Sequence, residues 1–275
     1  MSRITVLVGS VLALVASLSL GADTPSSAAN LTAEQVIEKN LAARGGLQAW
    51  RAVQTLSMSG KVDAGGNEPQ THSVQGVRTS GVQLPKRPAE QVQLPFRLEL
   101  KHGRKSRLEL DFSGKTAVQV YDGTNGWKLR PFLNRHEVEA FTADEMKTVA
   151  LQSDLDGPLV DYAAKGTKVE LEGTDKVEGS DTYRLKLTLK NGQTQHLWVN
   201  AKTFLETKIE GMPRRLDGKY HSVEIYYQDY RTVSGLMIPY VMETKVQGVK
   251  QPEKIEIENV AVNPRVEDSR FAKLQ

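Results

Sequence analysis

The residues of this chain that could make or break bonds stand apart from one another. Zinc-dependent hydrolysis needs two histidines one helical turn apart with a glutamate between them. His136-Glu137 supplies the first half, and no histidine follows at the required spacing. The five histidines, His72, His102, His136, His196 and His221, are scattered over expected strands and loops, so spacing alone builds no metal site from them. There is no G-x-S-x-G elbow, no phosphate-binding lysine loop and no G-x-G-x-x-G. With 0 Cys there is neither a thiolate nucleophile nor a thiolate metal site. Asp154 and Asp156 fit helix-end positions better than an acid–base pair. The expectation is no enzyme, no metal and no cofactor. A hydrolase without a local motif is the weakest reading kept, and it requires clustered carboxylates at a cavity mouth.

The apolar side chains say more. Tyr121, Trp127, Phe132, Phe141, Met146, Leu151, Leu155, Leu159, Tyr162, Trp198, Tyr240 and Met242, with Leu185 and Leu187 of one hairpin, are candidates to line a single concave face. Any one of them alone reads as core. Together they belong to a curved sheet with only a few short helices, whose concave side is hard to fill with side chains. Barrel-like sheets in that position hold ligands.

The elements that must place these residues follow from periodicity and caps. An amphipathic helix covers 33–44, opened by the Thr32/Gln35 capping box and stopped by Gly45-Gly46, with a further turn through Leu47, Trp50 and Val53. Strands alternate from 55 to 62 and again from 96 to 129. Residues 63–95 form a polar insertion with four prolines, either a long loop or a loose hairpin around 77–84. From 141 to 165 the pattern turns helical. Thr142 and Glu145 make a capping box, and Phe141 and Met146 a hydrophobic staple. Asp156-Gly157-Pro158 ends this first piece and starts a second, closed by Lys165-Gly166. Strand patterns then run from 169 to 262. The Asn191-Gly192 pair predicts a two-residue hairpin loop that sets Leu189 opposite Thr194, Leu187 opposite His196 and Leu185 opposite Trp198. The count is about ten or eleven antiparallel strands, a mainly β chain with few helices, in which 142–165 either plugs one face or covers a cavity.

The first 22 residues combine one basic residue, Arg3, with a short serine-interrupted apolar run and small residues, as a cleaved secretory signal does. Cleavage after Gly21, Ala22 or Ala29 fits, and 23–30 reads as a linker. The chain has no cysteine to acylate after the signal, so it is expected to be exported without a stable membrane anchor. Removing the signal leaves roughly 250 residues, enough for one β domain with its own core. A net charge of +3 spread along alternating strands excludes a nucleic-acid partner. One local basic stretch, Lys101 to Arg107, reads as a hairpin tip suited to anionic headgroups or an acidic partner.

Several pieces, in order, resemble the LolA/LolB-like group of exported carriers, the outer membrane lipoprotein-sorting proteins. They are the 31–46 helix with its double glycine, Tyr121-Asp122-Gly123 with Trp127, and the insert Asp154-Leu155-Asp156-Gly157-Pro158-Leu159-Val160-Asp161-Tyr162. Gly173 to Gly179, Asn191-Gly192, Trp198-Val199-Asn200, Asp229-Tyr230-Arg231 and Asn259 to Pro264 complete the set. The resemblance covers residues 31–275 as a single domain. It implies a curved antiparallel half-barrel, unclosed, with the helical segment 142–165 as a lid. It implies a periplasmic monomer that holds the acyl chains of a lipoprotein or lipid client and moves them toward the outer membrane, with transfer partners at the inner and outer membranes. Apolar burial, at roughly 25 cal/mol per Å², supplies affinity for acyl chains with little discrimination and no cofactor. A sensor or adaptor domain of the same fold, with a filled concave face and a partner at the basic tip, is the alternative.

Overall fold

Residues 31–64, 92–131 and 135–274 are described by the computed structural model. The expected signal peptide, the linker 23–30, most of the 63–95 insertion and Phe132 lie outside the described residues. α1 (Ala33–Ala43) starts with the reciprocal Thr32/Gln35 capping box and buries Val36, Ile37 and Asn40. Arg44 caps its C-terminus, and the left-handed Gly45 turns the chain into α2 (Leu47–Arg51). Gly45 has no room for a side chain, because a Cβ there would stand 2.2 Å from the Gly235 carbonyl oxygen.

The described residues form thirteen strands. The N-terminal set is β1 (Thr55–Ala64), β2 (Val92–Lys101), β3 (Lys105–Phe112), β4 (Lys115–Tyr121), β5 (Gly126–Arg130) and β6 (Arg135–Ala140). After α3 (Ala143–Gln152) come β7 (Lys168–Val177), β8 (Ser180–Thr188), β9 (Thr194–Asn200), β10 (Glu206–Leu216), β11 (Lys219–Val233), β12 (Leu236–Val246) and β13 (Glu253–Val262). They make one curved, unclosed antiparallel sheet in the order β6-β5-β4-β3-β2-β1-β13-β12-β11-β10-β9-β8-β7. The first and last strands pair at its middle, so the two free edges, β6 and β7, are consecutive in the chain. Residues 141–167 therefore cross from one edge to the other, which is why the helical interruption lies over the concave side. No described helix is long and apolar enough to cross a membrane.

Three expectations are corrected. The strand count exceeds ten or eleven, in part because β6, Arg-His-Glu-Val-Glu-Ala, is a charged edge strand without apolar alternation. The second helical piece of the insert does not form. Residues 153–167 are a succession of turns, broken by positive φ at Gly157, Asp161 and Gly166. The β8–β9 hairpin has a three-residue loop, Lys190-Asn191-Gly192. The Gly192 N–H donates to the Leu189 carbonyl and the Leu189 N–H to the Gln193 carbonyl, both at 2.8 Å, with Gly192 left-handed. The extra loop residue shifts the register by one: Leu185 faces Leu197, Leu187 faces Gln195, and Arg184 faces Trp198.

Candidate functional site

Residues directly opposite in adjacent strands share a face of the sheet. One such row begins at Leu56 and runs through Leu100, Ser106 and Tyr121 to Gly126. Leu56 and Leu100 line a cavity of about 180 Å³ on the concave side. Met58, Leu197, Ile209, Ile238, Met242 and Ile257 complete its apolar wall, and Leu155 and Pro158 of the crossing segment roof it. The roof is anchored by apolar burial, since Leu159 and Val160 are fully buried. Leu155 and Val160 belong to the same buried cluster as Trp50, Leu56 and Ile238.

Polar contacts fix the roof's shape. The Lys165 ammonium donates to Asp154 at 2.9 Å, Asp156 at 2.6 Å and the Gly157 carbonyl at 2.7 Å. Arg44 Nη1 donates to the Asp156 carbonyl at 2.9 Å and lies 3.4 Å from Glu206 Oε1, with both side chains buried. The guanidinium stacks 4.2 Å from the Trp50 ring, whose Nε1 donates back to the Arg44 carbonyl. Further along, Ser153 donates to the Ser106 hydroxyl at 2.7 Å, and the buried Lys128 ammonium is held by Glu145 of α3. Arg51 closes the other side on Asp161. Polar groups also reach the cavity wall. Tyr230 donates to the Glu206 carbonyl oxygen, and burial beside the Glu206 carboxylate pushes its phenol well above the ordinary range. Burial raises the Asp154 carboxyl despite Lys165. Asp154 and Glu206 both line the cavity: Lys165 engages the first within the crossing segment, and Arg44, at the end of α1, engages the second. Among the described residues no group of three histidines and carboxylates is placed to hold a metal ion.

No protein-family model and no curated protein sequence matches the chain. Solved structures do. A LolA superfamily protein from Nitrosomonas europaea superposes with a TM-score of 0.55 over 88% of this chain and 98% of its own, at 15% identity. A DUF1329 family protein from Desulfovibrio piger gives 0.55 over 87% and 97%, at 14% identity. The fold is LolA-like. A protein domain named for outer membrane lipoprotein sorting, from Vibrio parahaemolyticus, agrees, with a TM-score of 0.53 over 86% and 95% at 11% identity. At such identities the likeness speaks for architecture, and function has to be argued from the site.

The LolA-like sheet distributes the candidate lining residues unevenly. Leu155 and Met242 line the cavity, and Tyr240 packs in the cluster beneath it. Leu159, Leu185 and Leu187 are fully buried, the last two on the face that carries Leu197. Tyr121 is buried next to Ser106 and bonds the Gly123 carbonyl. Phe141 covers Gly126, and Met146, Leu151 and Tyr162 are half-buried along the crossing segment, outside the cavity wall. Two candidates are on the opposite face. Trp127 pairs with Val120 and packs on Val118 and Phe271, under the C-terminal segment. Trp198 pairs with Arg184, donates to Asp175 at 3.0 Å and is covered by Lys208 at 3.8 Å. Its displacement follows from the register shift of one residue, which puts Leu197 in its place.

Arg44, Trp50, Glu206, Tyr227 and Tyr230 belong to the site and were not candidates. Arg44 carried one local signal, a cation closing a helix just before two glycines. Trp50, six residues on, was read only as part of the turn after that helix, and Glu206, Tyr227 and Tyr230 carried no signal, because the groups they meet are far away in sequence. The basic hairpin tip is partly neutralised, with Lys101 and Lys105 each 3.0 Å from Asp268.

Proposed function

We propose that this chain is a periplasmic carrier that takes the acyl chains of a lipoprotein or lipid under the 142–165 lid. The observation that carries this reading is an apolar cavity whose roof plugs it with Leu155 and is pinned by a handful of polar contacts. The cavity, about 180 Å³, is smaller than the ~300–1,000 Å³ of ordinary ligand pockets. A space of that order takes a benzene-sized group. An acyl chain therefore requires Leu155 and its neighbours to withdraw, and the vacated volume becomes the binding site. Such a carrier needs no cofactor: apolar burial provides affinity, and lid opening at a partner provides release. Movement toward the outer membrane, transfer partners at both membranes and a monomeric carrier complete the reading.

The test uses the absence of native cysteine. Ser106 and Ser153 hydroxyls are 2.7 Å apart, one on the sheet and one on the crossing segment. A Ser106→Cys/Ser153→Cys pair should close a disulfide that fixes the lid. Uptake of a fluorescent acyl probe is expected to stop on oxidation and return on reduction. Equal uptake in both states refutes the moving lid, and no uptake by the unmodified protein refutes the carrier.

A further inference from the structure

The cavity has one polar corner, and its groups are unequally occupied. Tyr230 is committed to Glu206, at 3.1 Å to the carbonyl oxygen and 3.3 Å to the carboxylate. Arg44 is committed to Glu206 and the Asp156 carbonyl, and Lys165 to Asp154 and Asp156. Tyr227 differs. It stands opposite Met242 in the β11–β12 ladder, and both line the cavity. Its hydroxyl has no hydrogen-bond partner among the described residues. Burial pushes this phenol well above the ordinary range, within electrostatic reach of Glu206 and Arg44. The half-buried Tyr227 thus brings a neutral, proton-bearing hydroxyl to a mostly apolar wall of the cavity.

We propose that this corner seats the carbonyl oxygen of an uncharged acyl ester or amide, with the Tyr227 hydroxyl as donor, and disfavours ionised free fatty acids. The proposal rests on the carrier reading and names its ligand class. Of the charged groups that line the cavity, one cation, Arg44, is set against two carboxyls, Glu206 and Asp154. Arg44 is already committed to Glu206, so no lining cation is left to receive a carboxylate, and an anion would lie beside two carboxyls in poorly screened surroundings. A carbonyl asks only for the donor that is waiting. The acyl group would then be fixed at its linkage, with the chain laid along the apolar wall.

The test is displacement of N-phenyl-1-naphthylamine from the mature protein at neutral pH by nonane, methyl octanoate and octanoate. Tyr227→Phe should weaken methyl octanoate about three- to tenfold, the worth of one neutral hydrogen bond, and leave nonane unchanged. Octanoate should bind more weakly than its methyl ester, and Glu206→Gln should narrow that gap. Equal weakening of nonane and the ester, or no weakening of either, overturns the carbonyl seat while leaving the carrier standing. Octanoate binding as tightly as the ester overturns the charge argument. If none of the three displaces the probe, the carrier reading fails and takes the proposal with it. Thermal unfolding of Tyr227→Phe should match the parent, since the hydroxyl holds nothing in the ligand-free fold.

Discussion

Arg44→Met is the perturbation with the largest consequence, and its size can be worked from the geometry. Arg44 and Glu206 side chains are 10% and 7% exposed and 3.4 Å apart. Removing one member of a pair so deeply withdrawn from water leaves the other charge uncompensated, at a cost of about 3–5 kcal/mol. The lost bond to the Asp156 carbonyl and the lost stacking on Trp50 each add about 1 kcal/mol, and the methionine stem restores part of the packing. The expected fall in unfolding free energy, about 5–7 kcal/mol less what the methionine stem returns, is therefore about 4–6 kcal/mol, read from urea denaturation followed by tryptophan fluorescence. Arg44→Met/Glu206→Leu removes both charges and should recover most of the loss, because an apolar replacement of a buried pair is often neutral. Attachment of the crossing segment separates from charge burial in the same pair of proteins. Amide exchange across 154–166 should rise in the single and the double variant alike, since both lose the bond to Asp156. A single variant within about 1 kcal/mol of the parent, or a double variant less stable than the single, refutes the reasoning.

Other positions carry their own expectations. Gly45→Ala puts a Cβ against the Gly235 carbonyl at φ +108 and should cost about 2–4 kcal/mol, read as a lower denaturation midpoint. Leu159→Ala empties a fully buried site and should cost about 2–5 kcal/mol, with faster exchange across 153–167. Burial alone would raise the Glu145 carboxyl, but Lys128 and the Thr142 cap hold it below the usual range. A group lowered on folding stabilises above its unfolded value and loses that contribution as pH falls through the folded one. Protection of the α3 amides, taken relative to their intrinsic exchange rates, should therefore fall below about pH 4, and Lys128→Met should flatten that dependence. An α3 indifferent to acid would show that the ion pair does not hold the helix.

What could be read from the sequence lay within a few residues of itself. Thr32/Gln35 and Thr142/Glu145 fixed the starts of α1 and α3, because a capping box spans four residues. Most of the strands and the helical interruption of the sheet were legible from alternation that breaks and resumes. The second helical piece was misread because Asp161 adopts a left-handed backbone, which short-range pattern does not announce. The hairpin at Asn191-Gly192 shows how little separates right from wrong: one extra loop residue exchanges Trp198 for Leu197 at the concave face. Trp127 was lost to that face for a related reason, since which side of β5 meets the cavity depends on pairing across five strands, β1 to β5. The Arg44–Glu206–Tyr230 contacts and the Tyr227 corner had no local signal at all. Residues 44, 206, 227 and 230 meet only because β1 pairs with β13 and the curved sheet brings α1 against β10 and β11. Caps, turns and alternation are properties of short windows and are written in the chain. The cavity and its clamp are properties of register and curvature summed over thirteen strands, and only the folded sheet decides them.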